Sequence, residues 1–197
     1  MAIKRYSADA DNTITNAFQE NLSVRGTGSN MGQADVLETF SIYAQESATS
    51  TELSRIILKF PISEIKADKD AEIIPASGVS YYLKMFNAKH QHTLPKNYKL
   101  DVLAVSSSWE EGNGLDMEGY SDLTYDDIGS NWVRSAGSTS WTTEGGDYHA
   151  SPIFSASFDK GDEDLEVNVT TLVEDWLNDT KENYGFGVHL SASYEAS

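Results

Sequence analysis

A chain of 197 residues carries 31 Asp and Glu against 14 Lys and Arg, a formal net charge of −17, and contains no cysteine. Disulfides, thiolate metal sites and cysteine nucleophiles are therefore excluded. A nucleic-acid partner is disfavoured because phosphate neutralisation needs clustered Lys and Arg, and an anionic membrane surface is disfavoured for the same reason.

The N-terminal text MAIKRYSADADNTI has basic residues but no apolar stretch behind them, so neither a secretory signal nor a membrane span is expected. A short strand is predicted between Ile3 and Asn16, followed by a glycine-punctuated loop, RGTGSNMGQAD. Val36, Phe40, Ile42 and Tyr43 suggest a second strand. In SRIILKF, Ile56, Leu58 and Phe60 alternate with Arg55, Ile57 and Lys59, which predicts a strand with one strongly buried face, closed by Pro61.

VSYYLKMF has apolar residues at both parities, Val79, Tyr81, Leu83 and Met85 against Tyr82 and Phe86, and reads as a central strand. KLDVLAV repeats the theme with Leu100, Val102 and Ala104. The spacings are too short for parallel crossovers, so the strands are expected to be antiparallel. The stretch from Glu111 to Tyr148 is long, acidic and aromatic, and is read as an elaborated loop containing the block STSWTT.

Leu165, Val167 and Val169 predict another strand. Thr171 and Glu174 then have the T-x-x-E spacing of a capping box, and Leu172, Val173, Trp176 and Leu177 share a helical face, which predicts one short helix near residues 171–178. A last strand places Tyr184, Phe186, Val188 and Leu190 opposite Gly185 and Gly187, so something large should pack over the two glycines, the tryptophans being the natural candidates. Trp109 and Trp176 are assigned to the core.

Few constellations suggest chemistry. Glu110 and Glu111 are adjacent and would point to opposite faces of an extended segment, so they cannot both flank one glycosidic bond. No G-x-S-x-G or P-loop text occurs, and RGTGSNMG misses the dinucleotide spacing. No enzyme is expected and no cofactor is required. His90 and His92, with His149, have the spacing of transition-metal ligands but read more simply as loop residues. Asp/Asn loops suit calcium better. Asp9, Asp11 and Asn12 form one candidate cluster, Asp159, Asp162 and Asp164 another, and Tyr125-Asp126-Asp127 a third. Tyr120, Tyr125, Trp132, Trp141 and Tyr148 form an aromatic set in or beside the long loop, fit for a sugar platform, a satellite core or a subunit interface.

The order of these motifs, ADNTI, SNMG, SRIILKFPISEI, VSYYLKMF, VSSSWEEG, STSWTT and VNVTTLVEDWLNDTKENYGFGVHL, resembles the DNRLRE or disaggregatase-related domain, a β-sandwich similar to carbohydrate-binding modules. The likeness runs from about Ala8 to Ser191, although the hexapeptide that names the family is absent. The long loop, with LDMEGYSDLTYDDIGSNW, is similar to the version carried by virion structural proteins of marine tailed phages.

The resemblance implies an antiparallel, jelly-roll-like β-sandwich in a single domain over residues 1–197, with an N-terminal arm of about residues 1–11 and the long loop inserted at about 111–148. It also implies a structural calcium near the first strand, held by the Asp9 cluster and Asn30, and a further strand after the Gly-Phe-Gly strand, which this chain would lack or borrow from a neighbour. The functional expectation is a non-enzymatic virion protein in a symmetric assembly of like or other virion subunits, with a glycan-binding adhesion module as the alternative. A virion component also accommodates folding in a host cytoplasm without an export signal, followed by work outside the cell.

Overall fold

The computed structural model describes residues 3–89, 93–115 and 128–195. In chain order the elements are β1 (Ala10–Thr15), β2 (Ser41–Tyr43), β3 (Thr51–Lys59), α1 (Ile62–Asp70), β4 (Tyr82–Met85), β5 (Tyr98–Val105), β6 (Arg134–Ala136), β7 (Thr139–Ser140), β8 (Tyr148–Phe158), β9 (Leu165–Asn168), α2 (Thr170–Leu177), β10 (Phe186–Leu190) and α3 (Ala192–Glu195). The architecture is all-β, antiparallel and sandwich-like. A six-stranded sheet runs β1-β3-β10-β5-β8 with β2 on the start of β3, and β4-β9 and β6-β7 form separate two-stranded sheets.

The alternation in SRIILKF puts Ile56 and Leu58 against one core, where they meet Val102, Phe186 and Val188 from neighbouring strands. The far side of that core is the β4-β9 pair together with α1 and α2, through Leu83, Val167, Ile65, Leu172 and Trp176. Ile57 was expected on the less buried face of β3, yet it is fully buried. It joins Ile14, Val105, Trp132 and Trp141 in a second cluster on the opposite face of the large sheet. The sheet is therefore covered on both sides, unequally, by a layer of α1, α2 and the β4-β9 pair and by the long loop.

Several expectations meet a different local solution. The predicted central strand VSYYLKMF shortens to β4, which pairs only with β9, and Tyr82 and Phe86 are exposed. Instead of one helix there are three among the described residues. α1 follows Pro61 and buries only Ile62 and Ile65 of its nine residues, so its amphipathic signal is faint. The last predicted strand, β10, is flanked on both sides by β3 and β5, and the chain turns from it into α3. The sheet ends in β1 on one side and in β8 on the other.

The helix near 171–178 is present as α2, but not through the predicted capping box. Val169 occupies the N-cap position with no side-chain cap, and the Asn168 Oδ1 accepts the Thr170 N–H at 3.0 Å. Replacing Asn168 by Ala should therefore cost about 0.5–1 kcal/mol of unfolding free energy in urea titrations, while Thr171→Ala stays within about 0.5 kcal/mol. The reverse ranking would restore the box.

Candidate functional site

Two polar junctions fasten the long loop to the sheet. The first surrounds Asn12 and Asn30, both fully or almost fully buried. Asn12 leaves β1 with its Nδ2 donating to the Ser130 carbonyl and hydroxyl, each at 2.9 Å, while its Oδ1 accepts the Met31 N–H at 2.9 Å. Asn30 donates through Nδ2 to the carbonyls of Glu111 at 2.7 Å and Ser130 at 2.8 Å. Its Oδ1 accepts the N–H groups of Gly32 and Gly114. An amide suits this place because it offers donors and acceptors at once. The loop approaches so closely that a Cβ on Gly114 would fall on the Asn30 backbone carbonyl.

This geometry bears on the calcium expectation. The two amide oxygens expected to face an ion already accept backbone N–H groups, and Asp9 is exposed. Asp11 is half-buried beside Glu111, whose Oε1 accepts the Asp11 N–H at 2.9 Å. Burial and the Glu111 charge push the Asp11 carboxyl above its ordinary value. Among the described residues no three His, Cys, Asp or Glu side chains are grouped to hold a metal. His90 and His92 lie outside the described residues; His149 is half-buried on β8, and burial and then Lys181 hold its pKa below the usual range.

The second junction is centred on Arg55 of β3. Its guanidinium donates from Nε and Nη2 to the two carboxylate oxygens of Glu195 in α3, at 2.9 and 2.7 Å, and from Nη1 to the Gly145 carbonyl at 2.9 Å. It lies over the rings of Trp132 at 5.3 Å and Tyr148 at 5.8 Å. The Tyr148 hydroxyl also donates to the Gly145 carbonyl, at 2.9 Å. Its ring rests on β10, where a Cβ on Gly187 would fall on the ring edge. The large group over Gly187 is thus Tyr148 rather than a tryptophan, while Gly185, at φ +91°, is crowded instead by the Leu58 carbonyl of β3. Gly187→Ala should push that ring out of the Arg55 stack and cost about 1–3 kcal/mol in urea; an unchanged midpoint would mean that Tyr148 does not rest on the strand.

Burial pushes the Tyr148 phenol up to about 12, against the pull of the Arg55 cation. An unfolded tyrosine ionises near pH 10, so the folded chain holds this proton where the unfolded chain has released it. The contribution is complete below about pH 10 and lost as the pH rises toward 12. Replacing Tyr148 by Phe should flatten the fall of the urea midpoint across that window. An unaltered pH slope would count against a buried phenol.

The aromatic set divides accordingly. Trp132 and Trp141 are each only 5% exposed, so they do not form a solvent-facing platform. The Trp141 indole N–H donates to the Asn131 carbonyl at 2.8 Å. Tyr148 is half-buried in the Arg55 stack, and Tyr120 and Tyr125 lie outside the described residues. Trp176 is in the main core as expected, whereas Trp109 is half-buried against the second cluster and bonds the Tyr184 carbonyl at 2.7 Å.

A shallow cleft opens above Arg55 between Ser106, Ser107, Thr142, Thr143 and Asp147. The Asp147 carboxylate accepts the N–H groups of Thr142 and Thr143 and the Ser107 hydroxyl. Burial works against its charge, but those donors prevail and hold it below the ordinary carboxylate range.

Arg55 and Glu195 were not singled out from the sequence. The available signal was a basic residue at the head of an apolar strand in a chain so poor in cations. Set against protein-family models, curated proteins and solved structures, the chain matches none. Among the described residues no helix is long and apolar enough to cross a membrane.

Proposed function

We propose that this chain is a non-enzymatic structural component of a tailed-phage virion, placed on the exterior of tail or capsid in symmetric copies and acting through subunit interfaces. The observation that carries the reading is the internal use of the recognition groups in and beside the loop among the described residues. Trp132 and Trp141 pack from the loop onto the second face of the sheet, and the Asn12, Asn30 and Asn131 amides are bonded to backbone. Such groups brace a body; they do not face a ligand. The carboxylates nearest to the two junctions, Glu111 and Asp147, likewise hold backbone N–H groups. A bidentate Arg-carboxylate pair tying α3 to β3 adds rigidity between distant parts of the chain.

The test is the mass and symmetry of the native assembly, by light scattering on the purified chain and cryo-electron microscopy of particles that contain it. Ordered copies on a particle are expected. A lone monomer that binds sugars on a glycan array would overturn the reading in favour of the adhesion module.

A further inference from the structure

One rim of the large sheet is β8, the longest strand of the fold at 11 residues. The direction of its backbone groups follows from its neighbour. Ser191 donates its N–H to the Lys99 carbonyl, and Val105 donates to the Gly185 carbonyl. Odd-numbered residues of β5 therefore face β10, and even-numbered ones face β8. Leu100 and Val102 are opposite Ala156 and Phe154, so these two β8 residues bond inward. Ile153, Ser155 and Ser157 must then aim their N–H and C=O groups away from the sheet. Among the described residues no strand pairs with that rim.

A rim of this kind is a template for another strand unless charge, brevity or a covering segment blunts it. The start of β8 is blunted, by Pro152 and by the Lys181 ammonium at 3.5 Å from the Ser151 carbonyl, but the stretch 153–158 contains no proline and no Asp, Glu, Lys or Arg in a chain of net charge −17. Ile153 on the outer face is 53% exposed. Phe154 and Ala156 point toward the main core yet are only partly buried, because the second layer stops short of the rim.

We propose that β8 pairs antiparallel with β8 of a second copy about a twofold axis at Ser155, joining the two large sheets into one. This inference rests on the assembly reading above and gives it a surface and a partner. The strand is self-complementary in that register. Ser155 meets its own copy and Ile153 meets Ser157 of the second copy, each pair exchanging outward N–H and C=O groups. Phe154 meets Ala156 of the second copy on the core-facing side, large against small, and the apolar face becomes continuous across the junction. β8 itself brings no like charges into contact, so the repulsion between two copies of net charge −17 is not focused at this rim. The nearest acidic neighbour, Asp101, pairs with Ser155 one strand in. The two Asp101 side chains would then be about three strand spacings apart, roughly 14 Å, beyond the Debye length of about 8 Å at physiological salt.

The test uses the absence of native cysteine. In a hydrogen-bonded antiparallel pair the Cα atoms are about 5.5 Å apart, within disulfide reach. Ser155→Cys should cross-link to a covalent dimer under mild oxidation, whereas Ser140→Cys, on the exposed strand β7, should not. Light scattering should give twice the 21.7 kDa chain mass for a dimer, or an even multiple in a larger assembly. The Ser155 hydroxyl donates to the Asp101 carboxylate at 2.6 Å within its own chain, and Ser155→Lys would replace that bond by an ion pair while bringing two bulky ammonium side chains face to face at the axis. It should halve the mass with circular dichroism and melting profile preserved. A multimer in which Ser155→Cys fails to cross-link, or whose mass is indifferent to Ser155→Lys, overturns the β8 interface and leaves the assembly reading standing. A monomer at millimolar concentration, without cross-linking, overturns the β8 interface, and one that also binds sugars on a glycan array overturns the assembly reading with it.

Discussion

Replacing Asn30 by Ala is expected to lower stability by about 3 kcal/mol, a fall of roughly 6–12 °C in Tm for a chain of this length. The side chain is 1% exposed and bonds two carbonyls and two backbone N–H groups belonging to three separate segments. Truncation would leave all of these partners without the amide in a place closed to bulk water. Asn30→Asp is the informative companion. A carboxylate still accepts from Gly32 and Gly114, but it presents charge to the carbonyls of Glu111 and Ser130, so it should be no better than Ala. If Asn30→Asp were instead as stable as the parent and gained stability with added calcium, the residue would be a cation ligand. Thermal melts of both variants with and without calcium decide between these outcomes.

Arg55→Met is expected to cost about 3–5 kcal/mol, because it leaves the Glu195 carboxylate, only 13% exposed, without its cation. The Gly145 carbonyl would retain only the Tyr148 hydroxyl of the two donors described here. Arg55→Lys should recover only part of the loss, since one ammonium cannot match both carboxylate oxygens and the carbonyl while lying flat on two rings. The double variant Arg55→Met/Glu195→Gln should be more stable than Arg55→Met alone, as it removes the uncompensated charge. Urea unfolding followed by tryptophan fluorescence reads this directly, because Trp132 is part of the stack. If the double variant were less stable than Arg55→Met, the penalty would not come from a stranded carboxylate.

Legibility differed element by element for physical reasons. β3, β5, β9, α2 and β10 could be read because each buries a regular face against the main core, and burial of one face imposes its period on the residues. β8 was hidden. Its outward positions are Ser or exposed Ile, and its inward positions lie under an incomplete layer, so alternation is weak where coverage is weak. α1 was hidden because seven of its nine residues need not be apolar. The long loop read as aromatic and acidic, but an aromatic loop is equally suited to a platform or to a lid. Ile14 and Ile57 decided the matter by giving the sheet a second apolar face for Trp132 and Trp141 to cover.

The Asn12 and Asn30 amides show the same boundary at a single site. Asp/Asn clustering is a local property and suggests cation ligands, whereas what an amide oxygen accepts depends on which backbone reaches it. For Asn30 one such group is the N–H of Gly114, 84 residues away in sequence.

Composition and period determined by themselves that the chain is antiparallel and β-rich and built without disulfides. Only the tertiary structure decided which residues are braces and which rim stays open. Periodicity records how one segment meets a core, while the Asn30 junction, the Arg55-Glu195 pair and the unpaired groups of β8 depend on which distant segments arrive beside them.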